Sequence, residues 1–123
     1  MSNSNNDSRR RGLEMERRAA DWLASHGLSL VDANQHARRG EIDLIMRDGD
    51  TLVFIEVRHR RDARHGHPFE TVTSAKQRRL IGAARFYLHR NGLSCACRFD
   101  VVGVTGTPPH LSFEWIRSAF DAF

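Results

Sequence analysis

Lysine is almost absent from this chain of 123 residues: of 19 basic side chains, 18 are arginine and only Lys76 is lysine. Cysteine is nearly as scarce. Cys95 and Cys97 are two apart, which on a strand places them badly for a mutual disulfide. Two cysteines without a secretory signal read as reduced thiols, and the expected compartment is the cytoplasm. No apolar run is long enough to cross a bilayer, and the opening MSNSNNDS lacks the apolar stretch of a signal peptide, so no membrane association is expected. Internal repeats are missing too, which excludes a solenoid.

What remains is a globular composition, 40% hydrophobic and 28% charged, with enough chain for one domain built in two or three layers. Residues 1–8 read as a disordered polar tail and residues 9–123 as a single domain. The net charge is +4. Arginines cluster at Arg9–Arg11, Arg17-Arg18, Arg38-Arg39, Arg58 to Arg64 and Arg78-Arg79. A guanidinium binds phosphate bidentately, so such patches suit a nucleic-acid partner, although solvated helix faces would also carry them.

The chain centres on GEIDLIMRDGDTLVFIEVRHR, residues 40–60. Strand side chains alternate between faces, and this stretch alternates twice. Ile42, Leu44 and Met46 are expected on one face of the first strand, with Glu41, Asp43 and Ile45 on the other. In the second strand Leu52, Phe54, Glu56 and Arg58 share a face opposite Val53, Ile55 and Val57. Asp48-Gly49-Asp50 supplies the turn. A turn at Asp48-Gly49 sets Asp43 opposite Phe54, and one at Gly49-Asp50 sets it opposite Glu56. Either register gathers Asp43, Glu56 and Arg58 on one face. Like charges side by side destabilise a sheet. A solvated face would tolerate them. Acids beside Ile45, Leu52 and Phe54, which need cover, point instead to a divalent cation that neutralises them.

A first helix is expected from about Ser8 to His26, with Leu13, Ala19, Ala20 and Leu23 as its apolar stripe and Glu16 in the middle. A buried-face Glu needs a partner, either a nearby Arg or a cation shared with the hairpin acids. Leu28–Val31 reads as a short strand and Asp32–Arg39 as a basic loop. His65-x-His67 lies on a polar loop and reads as solvated rather than metal-binding. A second helix starts near Thr73 or Ser74, with Ser74 and Gln77 as a capping box. Its stripe is Leu80, Ala84, Tyr87 and Leu88, and Asn91-Gly92 ends it. Cys95–Val104 is a strand with Phe99 and Val101 on one face and Val102 and Val104 on the other. Arg98 and Asp100 are assigned structural roles. Leu111–Trp115 is an edge strand, and Arg117–Phe123 a short helix docking Phe120 and Phe123.

GEIDLI at residues 40–45, VFIEV at residues 53–57 and then Arg60 closely resemble the YraN family of small bacterial proteins. Gly12, Glu16, Ala19, Trp22-Leu23, Asn34, Lys76, Arg79-Leu80, Ala84, Tyr87-Leu88 and residues 98–102 extend the match over nearly the whole chain. The family is placed in the restriction-endonuclease-like, PD-(D/E)XK superfamily. The resemblance therefore implies an α/β fold, a central mixed β-sheet flanked by helices. It implies Glu16, Asp43, Glu56 and the Val57 carbonyl as ligands of Mg²⁺ or Mn²⁺, with Glu41 as a further acid beside them. Asp43, Glu56 and Arg58 would be catalytic, and Arg38, Arg39, Arg60, Arg61, Lys76 and Arg79 would bind nucleic acid. The implied reaction is hydrolysis of DNA phosphodiester bonds, branched DNA included, and a homodimer is the form that related resolvases take. The alternative is a DNA-binding module that keeps the fold with reduced cleavage.

Three positions depart from that pattern. The superfamily motif has Lys where this chain has Arg58, and Arg cannot shed a proton to poise water. Arg58 can stabilise transition-state charge, or Lys76 can supply the ammonium from the second helix. Met15 stands where the family usually has Gly, and His36 where it often has Arg.

Overall fold

A computed structural model describes residues 4–38, 40–62, 64 and 72–121. Arg39, His65, His67 and Phe123 lie outside the described residues. The elements are α1 (Ser4–Ala24), β1 (Ser29–Ala37), β2 (Gly40–Asp48), β3 (Thr51–Arg60), α2 (Ser74–Arg90), β4 (Cys97–Thr107) and β5 (His110–Phe120). They form one sheet in the order β1-β2-β3-β4-β5. β3 and β4 run parallel, joined through α2; the other pairs are antiparallel. A parallel pair needs a crossover, and α2 is that crossover.

Alternation along the strands divides the core into two layers. Leu44, Met46, Val53, Ile55, Val102 and Val104 pack under Met15, Ala19 and Leu23 of α1. Ile45, Leu52, Phe54, Phe99 and Val101 pack under Leu80, Ala83, Ala84 and Tyr87 of α2. The result is a central mixed sheet with a helix on each face, the architecture that the motif implies. No helix among the described residues is long and apolar enough to cross a membrane.

The hairpin turn falls at Gly49-Asp50, since Asp48 pairs with Thr51 and Leu44 with Ile55. Gly49 takes φ 60°, where glycine carries no Cβ penalty. Ile42 departs from the expected alternation. It packs with the α2-side cluster instead of with Leu44 and Met46. The paired ladder ends at Leu44–Ile55, so the backbone is free to change phase at Asp43.

Other boundaries move for identifiable reasons. α1 begins at Ser4, four residues earlier than its polar start suggests, and residues 6–13 are solvent-facing. Met15, 2% exposed, takes the buried position assigned to Leu13, which is 41% exposed. This rotates α1 and moves Glu16 from the centre of the buried face toward its edge. The stretch expected to be a basic loop is mostly β1, a strand with a register shift between Leu30 and Asp32. α2 is capped by Thr73 rather than Ser74: Thr73 Oγ1 accepts from the Lys76 N–H at 3.3 Å, and Gln77 Nε2 donates to the Val72 carbonyl at 3.1 Å.

The C-terminal helix is replaced by strand. β5 continues to Phe120 because Asp100 holds it there. The Asp100 carboxylate, 1% exposed, accepts from Trp115 Nε1 at 2.9 Å, the Ser118 N–H at 2.9 Å and Arg98 Nε at 3.1 Å. Arg98 also reaches Asp48 at 2.8 Å. Phe120 then stacks on Phe99, centroids 4.9 Å apart. Removing one partner from a buried, hydrogen-bonded ion pair strands the others. Asp100→Ala should therefore lower the unfolding free energy by about 3–5 kcal/mol, as read by urea denaturation.

Candidate functional site

Four carboxyl groups meet where β2 and β3 part. Continuing the hairpin register sets Asp43 across from Glu56, and Asp43 Oδ2 accepts from the Val57 N–H at 2.8 Å where the ladder has ended. Glu56 is mostly buried, its side chain 16% exposed, with its Oε1 3.5 Å from Arg58 Nε. Glu41 stands at the rim, its Oε2 3.1 Å from His36 Nδ1, and both side chains are well exposed. Glu16 approaches from α1 on the other side.

The electrostatics record how close these groups are. Burial pushes the Glu16 carboxyl up to about 7, helped by the charges of Asp43, Glu41 and Glu56 and opposed by the Asn34 side chain. Burial raises Asp43 to about 6 against the pull of the Val57 N–H, Arg58 and Lys76. Glu56 rises to about 7 through burial and the Asp43 charge, again opposed by Arg58 and Lys76. All three acids predicted for the site therefore sense one another.

The cations divide less evenly. A hollow of about 550 Å³ on the α2 side is lined by Arg38, Arg58, Lys76 and Arg79 together with Glu41 and Glu56. The Lys76 charge is felt by both Asp43 and Glu56. Arg60 lies one alternation beyond Arg58 at the end of β3, paired with Thr105. Arg61 does not join them; it lines a separate hollow on the α1 side with Arg11 and His59. Gly40 sets the distance between the acids and α2. A Cβ there would sit 2.7 Å from the Arg79 carbonyl oxygen, so only glycine lets β2 pass under the helix.

The family comparisons agree with the motif. The model of the uncharacterised protein family UPF0102 matches residues 15–104. This chain belongs to UPF0102, the YraN family. Similar curated proteins, each called a UPF0102 protein, include one from Chromohalobacter salexigens, 98% identical over 123 residues that span the whole of both chains. One from Nitrosococcus oceani is 48% identical over 91% of this chain and 92% of its own, and one from Vibrio cholerae is 46% identical over 92% and 93%. The matched segment contains Glu16, Asp43, Glu56 and Lys76 and ends within β4.

Donor chemistry is the test of whether a divalent cation fits. The donors are hard oxygens, which suit Mg²⁺ or Mn²⁺. Glu16 Oε1 is buried with no hydrogen-bond partner, an uncompensated acceptor of the kind a cation would satisfy. Among the described residues, no group of three His, Cys, Asp or Glu side chains is placed to hold a metal ion without movement. In the protein alone, the raised pKa values show that protons balance part of the charge instead.

The sign of the pH dependence follows. Folded-state values of about 6 to 7 exceed the ordinary 3.8 and 4.5, so the folded protein binds more protons than the unfolded chain between them. The contribution of these groups to stability is full below about pH 4 and is lost as pH rises through about 7. A ligand that binds only the folded state restores stability by mass action, and a cation needs the deprotonated acids. Mg²⁺ or Mn²⁺ should raise Tm near about pH 8 and leave it unchanged near about pH 5. Thermal melts across pH, with and without the ion, make this comparison.

Proposed function

We propose that this protein is a metal-dependent endonuclease that hydrolyses DNA phosphodiester bonds in the hollow between β3 and α2. The observation that carries the reading is the grouping of Asp43 and Glu56 with Arg58 and Lys76, the acids and Arg58 on the sheet and Lys76 across from them on α2.

The carboxylates of Glu16, Asp43 and Glu56 and the Val57 carbonyl would hold Mg²⁺ or Mn²⁺. When bound, the ion supplies Lewis-acid chemistry, acidifying water and neutralising phosphate charge. The protein's own groups do the rest. The Val57 N–H fixes the direction of Asp43. Arg58 and Lys76 draw the scissile phosphate toward the acids and stabilise the charge that grows on its oxygens. Arg38 and Arg79, exposed at the rim, hold flanking phosphates and position the strand. Arg58 stays charged and takes no proton, so the basic side chains of the hollow able to donate one to the leaving oxygen are Lys76 and His36.

A second reading has one observation in its favour. Arg58 lies 3.5 Å from Glu56, an ion pair that stabilises the carboxylate without any metal ion. In that reading the protein binds DNA and does not cut it.

One set of variants separates the two. On a single DNA substrate with Mg²⁺ or Mn²⁺, wild type should cleave and Asp43→Asn should not. Arg58→Lys should retain or increase cleavage, and Arg58→Ala should lower it by about 10²–10³-fold, the loss expected for one electrostatic donor. Equal cleavage by wild type and Asp43→Asn would place the activity elsewhere. Binding without cleavage in wild type would select the second reading.

Both readings require phosphate contacts. DNA affinity should fall about a hundredfold or more between roughly 50 and 200 mM salt, because each neutralised phosphate releases counterion. Fluorescence anisotropy against salt measures the slope, and a flat response would remove nucleic acid as the partner.

A further inference from the structure

Asn34 lies in β1 with φ 52°, inside the left-handed region. A non-glycine residue there in mid-strand is uncommon, and such backbone persists where its surroundings over-determine it. Its neighbours pair regularly, Ala33 with Leu44 and Gln35 with Ile42, which sets Asn34 opposite Asp43. The Asn34 side chain lies near enough to Glu16 to favour the charged carboxylate. It also lines a hollow of about 540 Å³ with Glu16, His36 and Glu41, and His36 and Glu41 border the α2-side hollow as well.

We propose that Asn34 is a positioning residue that places Glu16 for the divalent cation of the acid cluster. The inference rests on the metal-dependent reading of that cluster. Glu16 is delivered by α1, and the Asn34 amide joins it to the hairpin. An amide that favours one carboxylate oxygen biases the direction of the other. That other oxygen, Oε1, is buried without a hydrogen-bond partner. The left-handed backbone is what a short side chain needs to turn from the strand toward α1, and asparagine is among the few residues that tolerate it. Outer partners of metal ligands typically change affinity about 10–100-fold when removed.

Two variants separate the amide from the backbone. Asn34→Gly removes the amide and suits φ 52°. Asn34→Ala removes the amide and does not suit it. Mn²⁺ binding to the intact protein is measured by titration calorimetry near about pH 8, where the cluster is largely deprotonated, and Tm is measured in parallel without metal.

Both variants should bind Mn²⁺ about 10–100-fold more weakly than wild type, with Tm falling only for Asn34→Ala. Wild-type affinity in Asn34→Gly would overturn the inference, since the residue would then matter only as a left-handed link. Weakening in Asn34→Gly in step with a lost Tm would also overturn it, as general damage. No Mn²⁺ binding by wild type would overturn the metal-dependent reading and the inference with it, a result distinct from either variant outcome.

Discussion

Burial of carboxyl groups beside one another is the constraint on which this structure turns. Glu16, Asp43 and Glu56 are drawn together by covalent and packing geometry that has nothing to do with their charge. α1 is seated by Met15, Ala19 and Leu23, and the hairpin by two apolar faces. The acids are carried along at the end of β2 and β3. Their proximity is tolerated through protonation, through Arg58 and Lys76 beside them, and through the Val57 N–H and the Asn34 side chain. A core that holds its shape against the cost of burying these charges has a site whose charge must be balanced from outside. That is the physical link between the fold and the metal-dependent function proposed for the acid cluster.

Much of this was legible from residues alone, and the reason lies in the alternation of residues 40–60. Two strands with a glycine turn admitted only two registers, and both gathered Asp43, Glu56 and Arg58. Phe99, Val101, Val102 and Val104 fell on the faces that their spacing dictates. Lys76 was visible as the sole lysine, but its place opposite the acids depends on the crossover, which no local pattern encodes.

The misreadings have physical causes. Residues 32–37 are polar and lack alternation, so they resembled a loop; as an edge strand, β1 needs only one apolar side, and the role of Asn34 was hidden with it. Arg117–Phe120 has helical spacing for Phe120 but no helix forms, because the Asp100 carboxylate, 18 residues earlier on β4, claims the Ser118 N–H. Leu13 gave way to Met15 because a helical wheel fixes relative angles and leaves the absolute rotation to tertiary packing. In each case a contact distant in sequence outweighed a local preference.

The passage of β2 beneath α2 at Gly40 fixes more than packing. There the strand's Cα faces the Arg79 carbonyl with no side chain between them. Rotamer changes can loosen most interior contacts; this one has no rotamer to change. The gap between the acid-bearing strands and the first turns of α2 is therefore a fixed gauge, set by main chain against main chain. The two walls of that gap keep a constant spacing, set by them alone. To widen it the whole of α2 must shift, and with it Lys76 and Arg79 together.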